Sequence, residues 1–302
     1  MGGVQIGTCC TKPKLQNNLK PNHSIFQKAA QKAHLPTFFL PSPPPNLSPM
    51  NFLKQLNQRN PILYYFGWIY FLGGILAAIL SLTTDTIVLG INAWIKPMKF
   101  FFSIWIFMWT MAWFLRHLEN KRAVRRYTVM VVIVMIIEQV IITWQAANGR
   151  LSHFNIDTPL YQALFYIMGV AITVLTAWTG VIGFYFFKQK TFSSTMAYIW
   201  GIRLGIVLFV IFSFEGGIMA SRLAHTVGAP DGGPGLPIVN WSTQYGDLRI
   251  AHFVGIHALQ VLPLFGYYVT RKVRTVQIFA AVYFAVTAFM LIMAFRKLPV
   301  IS

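Results

Sequence analysis

Acidic residues are scarce in this sequence: seven Asp and Glu stand against 25 Lys and Arg, and charged residues of both signs reach only 11%. Cysteine occurs twice. Each shortage excludes something. With 56% of residues apolar, there is too little polar surface to cover a soluble fold of this length, so much of the apolar mass must face lipid. The adjacent Cys9 and Cys10 lie outside the apolar part. They exclude a disulfide framework or a thiolate-held metal within it and leave the redox compartment open. A formal charge of +18 in a soluble protein would point to nucleic acid. Here Lys and Arg gather in short connections between apolar runs, as retained loops of membrane proteins do, so the expected partner is the lipid bilayer and not nucleic acid.

Residues 1–49 contain no Asp or Glu, carry the Pro-rich run Pro41-Ser42-Pro43-Pro44-Pro45, and have no long apolar stretch. Such a segment cannot bury enough surface to fold. It reads as a disordered basic leader, dispensable or a misassigned start ahead of Met50, and residues 50–302 as the membrane domain. The start lacks the Ser or Thr that N-myristoylation wants at position six, and no compact apolar region of a signal peptide follows it.

A spanning helix needs about 20 mostly apolar residues to cross a ~30 Å hydrocarbon core. Seven stretches qualify, at about 62–83, 97–117, 127–147, 160–187, 197–220, 249–269 and 276–295. The expected fold is therefore an all-α integral membrane protein, a bundle of about seven transmembrane helices. Pro97 and Pro159 suit first helical turns, Thr158 and Asp247 suit caps, and Pro263 is expected to kink the sixth span near Leu259. No internal repeat supports an inverted-repeat transporter.

Basic residues set the orientation. Arg116, Lys121, Arg122, Arg125 and Arg126, then Lys188 and Lys190, then Arg271, Lys272 and Arg274 mark three connections as cytoplasmic. The N-terminus then lies inside, and the other connections, with Arg296 and Lys297, lie outside. The fifth connection is long and turn-rich, running from Gly228-Ala229-Pro230-Asp231-Gly232-Gly233-Pro234-Gly235 to Trp241 and Asp247. A connection of this kind among short ones is more often functional than idle, the alternative being a lid that only seals the bundle.

Three strings stand out: Trp94-Ile95-Lys96-Pro97-Met98-Lys99-Phe100; Ser152-His153-Phe154-Asn155; and the span from Ala224-His225-Thr226-Val227-Gly228 through Asp247-Leu248-Arg249-Ile250-Ala251-His252-Phe253. Through them most of the chain after Met50 resembles a family of uncharacterised bacterial multi-pass inner-membrane proteins. The resemblance implies a bacterial inner-membrane location and brings with it no activity, cofactor or catalytic residue.

Function must then be read from ionisable groups within the spans, each of which costs at least ~2.5 kcal/mol to insert. At about 100° per residue, Arg249, Gln260 and His257 fall about 60°, 80° and 140° from His252 on the sixth span. This half of the helix is expected to look into the bundle, with Phe253, Val254 and Leu259 turned away. By depth Glu138 can meet His257, and Arg203 can reach Glu138 from the cytoplasmic side. Candidate catalytic residues are thus Glu138, His257 and Arg249, and candidate cofactor-binding residues His153, His225 and His252, with Glu215, Asp231 and Asp247 beside them.

Three readings follow. The imidazoles and carboxylates can form an outward-facing site for a transition metal, haem or quinone, although no HxxxH or HExxH spacing is present. They can instead line a proton-coupled transport path. Or they hold helices together in a non-enzymatic scaffold, sensor or assembly factor with a protein or small-molecule partner.

Overall fold

A computed structural model describes residues 1–3 and 49–301. The expected leader, residues 1–49, therefore lies almost wholly outside the described residues. All named elements belong to one unit, Pro41–Ser302. A short helix α1 (Pro49–Arg59) leads into α2 (Pro61–Thr83); a two-residue hairpin of β1 (Ile87–Val88) and β2 (Ile91–Asn92) leads into α3 (Ile95–Leu115). Then come α4 (Lys121–Ala147), α5 (Pro159–Lys188), α6 (Met196–Arg222), β3 (Thr226–Val227), β4 (Gly246–Asp247), α7 (Leu248–Leu264), a π-helical turn (Phe265–Val269) and α8 (Val273–Phe295). Helices α2 to α8, with the π turn counted into α7, are the seven long and apolar enough to cross a membrane. The chain is an all-α multi-pass membrane protein.

The helices start and stop where local chemistry allows. Thr158 accepts the Tyr161 N–H at 3.3 Å and Asp247 the Arg249 N–H at 3.0 Å, as their sequence positions suggest. Two further caps, Asn60 on Leu63 N–H (3.1 Å) and Asn120 on Ala123 N–H (3.0 Å), set earlier starts than hydropathy alone implies. The basic residues Lys121 to Arg126 are thus helical, because hydropathy marks where lipid begins and caps mark where the helix begins. At Pro263 the expectation is refined: the change in winding follows the proline, as the π turn Phe265–Val269, a widening that accommodates a backbone that has lost an i→i−4 bond.

Consecutive helices pack side by side, and α6 also touches α8. The tightest pair is α6 with α7. A side chain at Gly201 would stand 2.5 Å from Leu262 O, and one at Gly205 would stand 2.9 Å from Ala258 O; one at Gly255 would enter the Phe212 ring. Small residues let two backbones approach within dispersion range, which is the main attraction available between helices in lipid. The central core is built from Met108, Met111, Tyr127, Val131, Ile199 and Ile202, all fully buried. Within it the Tyr127 hydroxyl donates to Thr179 Oγ1 at 2.8 Å, and that hydroxyl in turn donates to Leu175 O at 2.8 Å. Helix α1 lies on this core through Leu56, which is fully buried, and Phe52, stacked on Trp113 with centroids 5.0 Å apart. It is too short to span.

Candidate functional site

The long connection after α6 folds back as a lid over one end of the bundle. Its two ends pair as β3 and β4, with Thr226 opposite Asp247 and Val227 opposite Gly246. Gly246 lies against the backbone of Ala294 on α8, where any side chain would collide. Positive φ angles at Gly228 (112°) and Gly232 (96°) make the reversals that a Cβ disfavours.

Two carboxylates organise the lid. Asp231 accepts N–H bonds from the backbone of His225 (3.0 Å to Oδ2) and Thr226 (2.8 Å to Oδ1), and the His225 ring approaches Oδ2 at 2.6 Å through Nδ1. Burial by itself raises the Asp231 pKa, but the His225 ring and the two backbone donors together hold it well below the usual carboxylate range. The ionised carboxylate only accepts, so His225 Nδ1 carries the proton. Burial holds the His225 ring below its ordinary value, outweighing the Asp231 hydrogen bond, with Lys96 and Arg249 adding to the lowering. The ring is a neutral donor. Asp247 is fully buried; it caps α7, accepts the Ser242 N–H at 2.8 Å, and takes Arg249 through Nε (2.9 Å) and NH2 (2.6 Å). Arg249 also donates to Asn240 O.

The connection between α4 and α5 reaches the same place. Gln145 Nε2 donates to Ser152 O at 3.3 Å, and Asn155 Nδ2 donates to Gln145 Oε1 at 2.9 Å, which fixes the loop. Phe154 then packs on His225 (4.8 Å) and His153 on Phe100 of α3 (5.2 Å). Burial first, then the charges of Lys96 and His225, push the His153 ring well below the ordinary imidazole value. From the first turns of α3, Lys96 lies within electrostatic reach of Lys99, Arg249, Asp231 and His153, and Lys99 Nζ donates to Val239 O at 3.3 Å. Among the described residues the Lys96 ammonium forms no hydrogen bond or ion pair. Beside this cluster, under the lid, is a cavity of about 30 Å³ lined by Thr226, Pro230, Asn240, Ser242 and Arg249, room for one or two waters.

Of the sequence candidates, His153, His225 and Arg249 gather here with Asp231 and Asp247. The others do not. His252 Nδ1 donates to Phe212 O at 2.7 Å and lies 3.3 Å from Oε2 of the buried Glu215, on the α6–α7 seam. His257 is not turned into the bundle: its Nδ1 donates to Phe253 O of its own helix at 2.7 Å and its ring lies 4.1 Å from that of Phe253, an exposed residue. The buried face of α7 is instead Ala251, Gly255, Ala258, Leu259 and Leu262, because close approach to α6 selects small residues. Leu259 is therefore inside and not turned away. Glu138 is buried near Tyr70; among the described residues its Oε1 has no hydrogen-bond partner and it makes no contact with His257. Arg203 does not reach Glu138; it donates to Phe186 O (2.9 Å) and Gln189 O (3.1 Å) and caps the end of α5. Gln260, the fourth polar residue of that face, donates to Thr110 on α3 at 3.1 Å.

Sequence reasoning passed over Lys96 and Lys99. Their signal was available: two lysines in the first turns of a span, at the end without the basic connections. Among the described residues no three His, Cys, Asp or Glu side chains are grouped to hold one metal ion. Compared with known protein families, with curated proteins and with solved structures, the chain matches none.

Proposed function

We propose that this chain is a bacterial inner-membrane protein, its N-terminus cytoplasmic and its lid facing out, that binds a small anion at the lid end. The resemblance in sequence and the basic connections at the opposite end support the location and the orientation. One observation carries the binding reading: Lys96, Lys99 and Arg249 lie within electrostatic reach of one another, while Asp247 is engaged by Arg249 and Asp231 by His225 and Thr226, which leaves the Lys96 ammonium without a hydrogen-bond or ion-pair partner among the described residues. A cation at the membrane edge is costly unless it is answered by charge or water. The lid cavity, lined by Arg249 and large enough for one or two waters, suits a halide or a carboxylate tip.

The experiment uses the full chain purified in neutral detergent. Chloride, phosphate and acetate are titrated separately by calorimetry. Saturable binding of one of them, weakened at least about tenfold by Lys96→Met, is the expected result. No saturable binding, or binding indifferent to Lys96→Met, sinks the reading. Stoichiometric metal on elemental analysis, or a Soret band, would replace it with the imidazole-based metal or haem site expected from sequence.

A second reading, proton-coupled movement of the bound anion, is favoured by Glu215. This carboxylate is buried on α6, neither of its oxygens has a hydrogen bond among the described residues, and it stands 3.3 Å from His252. Intramembrane Glu and His are the usual carriers of coupled protons. In liposomes, anion uptake that rises with an inward proton gradient and is lost in Glu215→Gln supports coupling. Uptake insensitive to both would leave binding without transport.

A further inference from the structure

At the end of the bundle opposite the lid, three buried polar atoms have no hydrogen-bond partner among the described residues: Nε of Arg59, Nε2 of His117 and the hydroxyl of Tyr198. They belong to one cluster. The Arg59 guanidinium lies 3.5 Å over the Trp113 ring, and its NH1 donates to Trp113 O at 3.0 Å. His117 meets Tyr198 edge-on with centroids 5.7 Å apart, and Arg59 is within electrostatic reach of both. The Trp113 indole lies beside the Tyr198 hydroxyl without an aligned hydrogen bond. Native proteins keep buried polar atoms paired, so three neighbours without partners mark a place where something else supplies them.

Charge narrows what that is. Arg116 and Lys121 add positive charge around His117. The only acidic residue at this end is Glu119, and it is turned to Thr191, whose hydroxyl donates to it at 3.3 Å. Every other acid lies at the lid end or within a span: Asp85, Asp157, Asp231, Asp247, Glu138 and Glu215. The chain has no counter-ion of its own to offer here.

We infer that Arg59, His117 and Tyr198, over the Trp113 ring, form a binding site for an oxyanion, a phosphate or carboxylate group. An oxyanion offers acceptors to each of the three side chains, the Arg59 Nε–H, the Tyr198 O–H and a His117 Nε2–H, and it answers the surrounding cations. A water molecule can bridge these atoms, but it carries no charge to answer the surrounding cations. The group comes either from a lipid headgroup or from a solute.

The test follows thermal unfolding of the full chain in neutral detergent. One arm is titrated with inorganic phosphate, the other with short-chain phosphatidylglycerol against uncharged short-chain phosphatidylcholine. A saturable rise with phosphate assigns a free oxyanion; a rise with phosphatidylglycerol alone assigns a headgroup; both support the site. The half-saturation concentration should increase at least about tenfold in Arg59→Gln and several-fold in Tyr198→Phe. Gly217→Ala, where an added methyl meets nothing within 4 Å, should leave it unchanged. Tyr198→Phe keeps the ring and its packing, so it reports on the site even if Arg59→Gln fails to fold. No saturable rise in either arm, or a rise that Tyr198→Phe leaves unaltered, overturns the inference.

Discussion

Asp231 Oδ2 stands 2.6 Å from His225 Nδ1 while the same carboxylate takes the backbone N–H groups of His225 and Thr226. One side chain thus ties the loop after Gly228 to the strand β3 that anchors it.

Removing the charge should loosen the lid alone. In Asp231→Asn the amide still accepts but presents a donor to one of three donors, so about 1–3 kcal/mol of local stability is expected to go. Hydrogen exchange should quicken over residues 224–247 with little change in α4. Equal quickening throughout the bundle would show that the clamp supports the whole fold.

Stability should fall as pH drops from 6.5. Burial lowers the pKa of His117 to about 4, with Arg59, Arg116 and Lys121 adding to it, and His153 and His225 are lowered as well. A folded state that resists protonation is fully stabilised above the unfolded value near 6.5 and loses that stabilisation as pH falls toward the folded value. For His117 the loss is at most about 3 kcal/mol between pH 6.5 and 4. The depressed Asp231 contributes only below about 4. Thermal unfolding of His117→Gln should therefore show a flatter profile between pH 6.5 and 4; an unchanged profile would assign the slope to other groups.

Two glycines of α6 should answer differently to the same change. Gly205→Ala places a methyl 2.9 Å from Ala258 O of α7 and is expected to cost about 1–3 kcal/mol. Gly217→Ala meets nothing within 4 Å and should be neutral or slightly stabilising through helix propensity. Matching losses measured by unfolding in detergent would contradict the close α6–α7 contact.

His257→Gln should be nearly silent. From sequence this replacement is expected to abolish function, because a titratable intramembrane His reads as a ligand or proton carrier. In the structure its ring lies on Phe253 and its Nδ1 bonds its own helix, so stability should change by less than about 1 kcal/mol and anion binding should persist. Loss of binding with a folded protein would restore His257 to the site.

One-sided reporters fused after residues 124, 155 and 240 test the orientation. Positions 155 and 240 should report from the same, external side and 124 from the cytoplasm. A cytoplasmic report at 240 would put the lid inside and reverse the proposed exposure of the anion site.

The seven spans, the capping at Thr158 and Asp247 and the turn-rich lid could be read along the chain, because insertion into lipid depends on the summed hydropathy of about 20 consecutive residues and capping on a few neighbours. Part of the candidate site was legible for the same reason: His225, Asp231, Asp247 and Arg249 lie within one stretch whose turns bring them together. The facing of α7 was not. A helical wheel ranks faces by polarity, whereas the contact of Gly201 and Gly205 with the α7 backbone turned Ala251, Gly255 and Ala258 inward and left His257 outside. Nor could the chain alone show that Lys96 lies within electrostatic reach of Arg249, that Arg203 caps α5, or that Arg59, His117 and Tyr198 come near one another from three separate segments. Those pairings depend on which helices lie side by side and how closely, a choice made by dispersion between complementary surfaces far apart in sequence.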